Sequence, residues 1–224
     1  DTGTTIFDNF VIKSHQITSV AGDLDINGDL TIDVSGGGSQ AINGDNIRVA
    51  GDVHILGAEG GDVTIIVDGS SPQTIYGGGT TKNIGNWNID SSSTVTIDGI
   101  LTTDGDFTHT NGSVVTTGST LFFDCPGDCS IDASGVTFNN VIMGAGGSGG
   151  ENIVVTSIDV DGDLTFDHTG AGSQGTSGGT IYVAGNIINT NNNSGYSASI
   201  VMDGSGTQTI LSNGQAYPGA VFTI

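Results

Sequence analysis

Residues 25–33 read DINGDLTID, and residues 159–167 read DVDGDLTFD. Two near copies of one phrase, separated by 134 residues, indicate an internal repeat. A repeat is the first property to establish in a sequence, because repeated units stack into architectures that other chains do not form. The fold class of this chain therefore depends on whether the offset persists.

The offset persists along most of the chain. It rises from 134 to 135 after one inserted residue, and near the front it is 131. We predict one solenoid domain over residues 1–224, with a full unit at about residues 1–134 and a partial second unit at about residues 135–224. The matched segments are 7–12 with 138–143, 47–51 with 181–185, 68–75 with 203–210, and 87–89 with 222–224.

The composition favours strands and turns over helices. Glycine accounts for 39 of the 224 residues and proline for only 3, while 35% of the residues are hydrophobic. That hydrophobic fraction is too high for a disordered glycine-rich linker. Lys, Arg and Glu, which favour helices, are almost absent, and Thr, Ile, Val, Asn, Asp and Gly dominate. We therefore predict a folded, all-β chain with no substantial helix.

The strand-forming segments are short apolar runs, such as Leu30-Thr31-Ile32 and Val95-Thr96-Ile97, with Asn-Gly, Asp-Gly and Gly-Asp pairs between them. These pairs supply the positive φ angles of turns, and they also suit the tight hairpins of an antiparallel sandwich. A sandwich gains nothing from partial duplication at a fixed offset, whereas a solenoid grows by adding coils. We predict a single-stranded parallel β-helix (β-solenoid) of roughly ten coils, at about 20 residues per coil.

One repeated phrase carries a resemblance. Residues 67–75 (VDGSSPQTI), followed by residues 86–89 (NWNI), resemble the repeat of large bacterial secreted β-helix proteins of the adhesin type. The second copy of the phrase lies in residues 202–210 and 221–224. The resemblance implies a β-helix at the cell surface, where such proteins serve as stalks, adhesins or fibres.

The charge balance excludes several classes of partner. Three basic residues against 24 acidic ones give a net charge of −21. Nucleic-acid binding requires basic side chains that replace phosphate counterions, so we expect no nucleic-acid partner. No apolar run approaches the length of a membrane span. The absence of a charged-then-apolar signal sequence is the pattern of a mature secreted chain whose leader has been removed.

The two cysteines lie in Cys125-Pro126-Gly127-Asp128-Cys129, where a Pro-Gly turn folds the thiols toward each other. This spacing predicts a disulfide between Cys125 and Cys129, and an oxidised pair implies an extracellular or periplasmic location. A reduced pair in a cytosolic protein is the alternative. A zinc or redox role is disfavoured, since a second pair of ligands is missing.

Alternating acids in the repeated phrase resemble the start of a calcium loop, although the bidentate glutamate that closes such a loop is missing. We expect no other cofactor. The alternative is that these acids simply face water on a strand. The candidate calcium ligands are Asp25, Asn27 and Asp29 in the first unit, and Asp159, Asp161 and Asp163 in the second.

Both ends of the chain are apolar and strand-like, and no capping helix is predicted. A head-to-tail contact that does not close generates a filament. We expect a structural subunit of an extracellular filament or surface fibre that pairs with copies of itself. The alternatives are a fragment of a larger adhesin that binds cell-surface glycans, and a polysaccharide hydrolase or lyase using carboxylates such as Asp104 and Asp106. The candidate interface residues are Ile6, Phe7, Phe10, Ile12, Val221, Phe222 and Ile224.

Overall fold

The computed structural model confirms the predicted fold class. Every regular element in the described residues is a β-strand, all strand pairs are parallel, and no helix occurs among them. The chain forms two compact units, unit 1 (Asp1–Val115) and unit 2 (Thr116–Ile224), and each is a parallel β-solenoid. The prediction of a single domain stays a prediction. The structure describes residues 5–13, 18–34, 41–58, 60–81, 83–144, 150–168, 175–191, 197–212 and 221–224.

Unit 1 is built from strands that pair with strands of the preceding and following turns. Two ladders carry most of it. Ladder P joins β1, β4, β7, β9, the start of β12 and the start of β14, while ladder Q joins β2, β5, β8, β10, the end of β12 and the end of β14. Its strands are β1 (Thr5–Phe7), β2 (Phe10–Lys13), β3 (Thr18–Val20), β4 (Leu24–Ile26), β5 (Leu30–Asp33), β6 (Ile42–Gly44), β7 (Asn46–Val49), β8 (Val53–Gly57), β9 (Thr64–Val67), β10 (Gln73–Tyr76), β11 (Asn83–Ile84), β12 (Asn86–Asp98), β13 (Ile100–Thr103) and β14 (Phe107–Val115).

Unit 2 repeats the pattern. Its ladders are named by repeat position, although they belong to other sheets than ladders P and Q of unit 1: ladder Q runs β15, β18, β21, β24, β26, and ladder P runs β17, β20, β23, β25, β27. A third ladder joins β16, β19 and β22. The strands are β15 (Thr120–Asp124), β16 (Cys129–Asp132), β17 (Thr137–Phe138), β18 (Asn140–Gly144), β19 (Glu151–Val154), β20 (Ile158–Val160), β21 (Leu164–Asp167), β22 (Gly175–Gly178), β23 (Thr180–Val183), β24 (Ile187–Asn191), β25 (Ser199–Met202), β26 (Ile210–Leu211) and β27 (Val221–Thr223).

The core of each unit consists of apolar columns. Within a strand, alternate side chains point inward, and register aligns the inward residues of successive turns. In unit 1, for example, the pairs Ile26↔Val49, Val49↔Val67 and Val67↔Ile89 form one column, and all four side chains are fully buried. Burying a side chain of this size contributes roughly 1.5–3 kcal/mol. The columns therefore hold the turns together.

The structure has about eight turns, slightly fewer than the predicted ten. Several of the turns are longer than the 20 residues assumed. Leu24 pairs with Ile47 in unit 1 and Leu164 pairs with Ile187 in unit 2, so these neighbours are 23 residues apart. The additional residues lie between the strands, and the alternation of apolar residues within the strands does not reveal how long these connections are.

Some turns approach so closely that no side chain fits between them. Gly44 pairs with Val20 of the previous turn, its φ is +119°, and a Cβ on it would collide with the Val20 carbonyl oxygen. Gly22 also has positive φ, at +79°, but a Cβ there would meet nothing within 4 Å. Comparing the two positions therefore distinguishes the free-energy cost of positive φ, which both share, from the cost of the steric clash, which only Gly44 has.

We expect Gly44→Ala to destabilise unit 1 much more than Gly22→Ala. Both substitutions place a Cβ at positive φ, which costs about 1–2 kcal/mol. The clash with Val20 adds to this at Gly44, for a total of roughly 3 kcal/mol or more. Urea unfolding followed by circular dichroism measures the difference, and equal midpoints for the two variants would contradict the close packing.

Candidate functional site

In unit 1, a column of Asn and Asp side chains lies just before the strands of ladder Q. The Oδ1 atom of each accepts a hydrogen bond from a backbone N–H one turn further along. Asn9 accepts from Asp29 N at 2.7 Å, Asp29 from Asp52 N at 2.9 Å, and Asp52 from Thr74 N at 2.6 Å. An Asn or Asp at this position therefore links consecutive turns.

Unit 2 contains the same column at the corresponding repeat positions. Asn140 Oδ1 accepts from Asp163 N at 2.9 Å, and Asp163 Oδ1 accepts from Asn186 N at 2.7 Å. Asn186 Oδ1 then accepts from Thr209 N at 3.0 Å. The repeat thus preserves an Asn/Asp column that ends on a threonine in both units.

The column changes the interpretation of the predicted calcium ligands. Asp29 and Asp163 belong to it, while Asp159 Oδ2 accepts from Thr137 Oγ1 at 3.0 Å. Asp25 lies on ladder P in register with Arg48, and Asn27 and Asp161 are exposed. Among the residues that the structure describes, no group of three or more Asp, Glu, His or Cys side chains could hold a metal ion. Calcium binding stays a prediction.

A buried glutamine closes the turn that precedes β10. Gln73 Oε1 accepts from Gly69 N at 2.8 Å, and its Nε2 donates to the carbonyl oxygens of Val49 and Gly51 at 2.9 and 2.7 Å. Its repeat counterpart, Gln208, donates to Val183 and Gly185 at 2.7 and 2.9 Å. The glutamine recurs at the same repeat position in the sequence. That recurrence was a signal of a structural role, but no role was predicted for it.

The first turn of unit 1 presents an apolar edge. Among the described strands, β1 pairs with β4 alone and β2 with β5 alone. Ile6 is 62% exposed and Val11 52%, Phe7 and Phe10 are half-buried with ring centroids 4.6 Å apart, and Ile12 is buried. A groove of about 370 Å³ lies beside this edge and is lined by Phe10, Val11, Ile12, Lys13, Ser19, Val20, Ala21 and Leu24.

The last turn of unit 2 presents a second apolar edge, formed by β26 and β27. Ile210 is 41% exposed, Ile224 is 99% exposed, Phe222 is half-buried, and Val221 begins β27. A groove of about 440 Å³ at this edge is lined by Met202, Asp203, Gly204, Gly206, Gln208, Ile210 and Ile224. The predicted interface residues thus lie on two separate edges.

The repeat shows how such edges look when they are covered. Ile224 corresponds to Ile89 and Ile210 to Ile75, and both counterparts are fully buried in unit 1. Their cover is the next turn, since Ile75 pairs with Ile97 and Ile89 with His109. At the other edge, half-buried Phe10 corresponds to Val141, which is buried beneath its partner Leu121 in unit 2. Each edge therefore exposes positions that the other unit buries.

Cys125 and Cys129 are buried and joined by a disulfide, with their Cα atoms 5.9 Å apart. Asn152 on the next turn pairs in register with Cys129, and its Nδ2 donates to the Gly144 carbonyl oxygen at 2.8 Å. The bridge spans the four-residue turn between β15 and β16, from Cys125 to the first residue of β16. The carboxylates named for a hydrolase, Asp104 and Asp106, lie in the turn between β13 and β14, where Asp106 N donates to Asn86 Oδ1 at 2.8 Å.

His168 is buried immediately after β21, in the middle of ladder Q of unit 2, and its ring stacks on Phe166 with centroids 6.3 Å apart. Burial lowers the pKa of His168 from 6.5 to about 4, although the Asp167 carboxylate opposes that shift. The corresponding residue of unit 1 is Val34, which is also fully buried. The histidine therefore occupies an apolar core position of the repeat.

Comparison with protein-family models, curated proteins and solved structures gave no match. No helix in the described ranges could cross a membrane. What the chain does must therefore be argued from its own ladders and edges.

We expect Gln73→Leu to destabilise unit 1 by roughly 2–4 kcal/mol, because two backbone carbonyls and one N–H lose their buried partner. Gln208→Leu also leaves two backbone carbonyls without their donor, but Gln208 is only half-buried, so the loss of unfolding free energy should be smaller. Thr74→Val is the control, since Thr74 neighbours Gln73 without closing the turn. Urea unfolding measures all three, and a Gln73→Leu midpoint equal to that of Thr74→Val would refute the role of the glutamine.

We expect His168→Val to remove a pH dependence of stability. Because the pKa is lower in the folded state, the unfolded chain binds the proton more readily, so stability is full above pH 6.5 and is lost as the pH falls toward 4. The loss is on the order of 3 kcal/mol at most. Thermal unfolding of the two proteins between pH 7 and pH 4 should diverge, since they differ only at this side chain; parallel curves would exclude a buried neutral histidine.

Proposed function

We propose that the protein is a structural subunit that associates with copies of itself end to end, forming an extracellular filament or surface fibre. The β26–β27 edge of one copy meets the β1–β2 edge of the next. One observation carries this proposal: Ile210 and Ile224 are exposed, whereas their repeat counterparts Ile75 and Ile89 are fully buried under a following turn. The chain thus contains its own example of how this edge is covered.

Edge pairing also satisfies the backbone. Strands at the end of a sheet leave N–H and C=O groups facing outward, and proteins normally shield such edges because they pair readily with other strands. Both edges of this protein are parallel β-strands, so the same ladder geometry extends from copy to copy. Burial of the apolar edge residues adds about 25 cal/mol per Å² of apolar surface.

The charged groups at the two edges do not by themselves select an orientation. Lys13 in the groove beside β2 already pairs with Asp33 at 3.4 Å, and Asp203 lies in the groove beside β26. The net charge of −21 opposes any association, so the filament should form more readily as salt screens the copies.

The extracellular location is part of the proposal. The buried Cys125–Cys129 disulfide is typical of oxidising environments, and the acidic composition keeps a secreted chain soluble. The resemblance of the repeat to bacterial secreted β-helix proteins supports a role at a cell surface. No enzymatic activity is proposed.

Glycan binding by an adhesin is the second candidate. His54 and Tyr76 stack on the outer face of ladder Q, with ring centroids 4.5 Å apart and planes within 9°. Tyr76 is 38% exposed, so the pair presents an aromatic surface to solvent. Aromatic rings are the usual platforms for sugar rings, and a glycan array probed with wild type and Tyr76→Ala would detect this activity.

We expect Ile210→Lys and Ile224→Lys to abolish association while leaving the monomer folded, because both side chains are exposed in the monomer and would be buried in the contact. Burying an unpaired charge costs several kcal/mol, which corresponds to a roughly 100-fold or greater loss of affinity. Sedimentation velocity and electron microscopy measure the filaments.

Leu56→Lys is the matched control. Leu56 is 60% exposed but lies on β8, which has a strand on both sides, so the same change there should leave association intact. A wild-type chain that stays monomeric at all concentrations and salt levels would overturn the proposal. Filaments that tolerate both edge substitutions would show that association uses another surface.

A further inference from the structure

The order of the strands restricts how two edges can meet. In each turn the chain passes ladder P and then ladder Q, so unit 1 begins with β1 on P and β2 on Q. Unit 2 ends with β26 on Q and then β27 on P. If β2 of one copy stacks directly on β26 of another, the turn between them has room for a single P strand. Both β1 and β27 would occupy that position.

The alternative stack leaves a gap. If β1 is placed directly on β27, a whole turn separates β26 from β2, and the Q strand of that turn is missing. The grooves beside β2 and β26, about 370 and 440 Å³, would then face each other across an unfilled space. Voids of this size are avoided in protein interiors, which pack as densely as organic crystals.

From this conflict we infer that copies join by strand exchange: β27 of one copy displaces β1 of the next and pairs with its β4, while β26 pairs with β2. This inference rests on the proposed end-to-end association and specifies its partner strands. The predicted register on ladder P is Phe222↔Leu24, Thr223↔Asp25 and Ile224↔Ile26. On ladder Q it is Thr209↔Asn9, Ile210↔Phe10 and Leu211↔Val11.

Unit 2 contains a template for the Q contact. There β15 pairs with β18 in the register Thr120↔Asn140, Leu121↔Val141 and Phe122↔Ile142. The β26 segment, Thr209-Ile210-Leu211, has the same pattern as Thr120-Leu121-Phe122. On the receiving side, residues 9–12 (NFVI) correspond to residues 140–143 (NVIM). The contact between copies thus repeats a contact already present within the chain.

The Asn/Asp columns continue across this contact. In unit 2 the column residue Asn140 follows Thr120 in register, and the column ends at Thr209. In unit 1 the column begins at Asn9, whose side chain already accepts from Asp29 N. Placing Thr209 before Asn9 reproduces the step from Thr120 to Asn140.

On ladder P, β27 suits the position beside β4 better than β1 does. At present Thr5, Ile6 and Phe7 pair with Leu24, Asp25 and Ile26. Ile6 stands at the outward position and is 62% exposed. The exchange places polar Thr223 at that outward position, and it places Phe222 and Ile224 on the apolar columns that contain Leu24 and Ile26. The gain is the burial of Phe222 and Ile224, which adds to the apolar columns of ladder P while β1 is released.

Cysteine pairs at outward positions test the register. Residues paired in register on neighbouring strands are about 4.8 Å apart, within the Cα range of a disulfide. Thr223→Cys combined with Asp25→Cys should give covalent multimers on a non-reducing gel under mild oxidation. Thr223→Cys combined with Ile6→Cys should not, whereas direct stacking of β1 on β27 predicts the reverse.

A lock on β1 tests the displacement. Ile6→Cys with Asp25→Cys should join β1 to β4 within one copy and suppress filaments at least tenfold under oxidising conditions. Reduction should restore them, with wild type treated identically to account for the Cys125–Cys129 bridge. Filaments unaffected by the lock, or crosslinks through Ile6, would overturn strand exchange while leaving end-to-end association intact. Absence of both filaments and crosslinks would overturn the association itself.

Discussion

Each turn of this protein depends on its neighbours for backbone hydrogen bonds, and this dependence governs the rest of the structure. A parallel strand of three to five residues has no stability of its own, so its N–H and C=O groups must be satisfied by the turns before and after it. Where a strand begins and the ladder is incomplete, Asn9, Asp29 and Asp52 supply side-chain acceptors. Gln73 serves the same purpose at a turn. The repeat preserves these polar contacts because they connect one turn to the next.

The same constraint explains the unusual composition. Turns that lie one strand spacing apart leave no room for a Cβ at positions such as Gly44, so glycine is required there. Acidic residues such as Asp29, Asp52 and Asp163 accept backbone N–H groups in the columns, and the buried core is mostly apolar. A chain with a net charge of −21 can therefore fold without many ion pairs. Lys13–Asp33 and Arg48–Asp68 are two such pairs in unit 1.

In the described residues, the strands of the first turn and of the last turn pair with a neighbouring turn on one side. The internal repeat makes this visible, because Ile75 and Ile89 show the buried state of positions that are exposed at Ile210 and Ile224. The proposed end-to-end association, with exchange of β1 for β27, would cover these positions with strands of another copy. In this proposal function is an extension of the folding interaction, and it needs no catalytic group.

The sequence by itself determined the repeat, the all-β class and the parallel solenoid, because periodic apolar runs and glycine-rich turns are local patterns. It also indicated Cys125 with Cys129, whose partners are close along the chain. Only the tertiary structure decided that Asp29 and Asp163 accept backbone N–H groups within a column, since Asp-x-Asn-x-Asp has the same local pattern as a calcium loop. The burial of His168 at a valine position was equally hidden. For the columns, the decisive neighbour lies a full turn away, 20 to 23 residues along the chain, where a local pattern carries no information about contact.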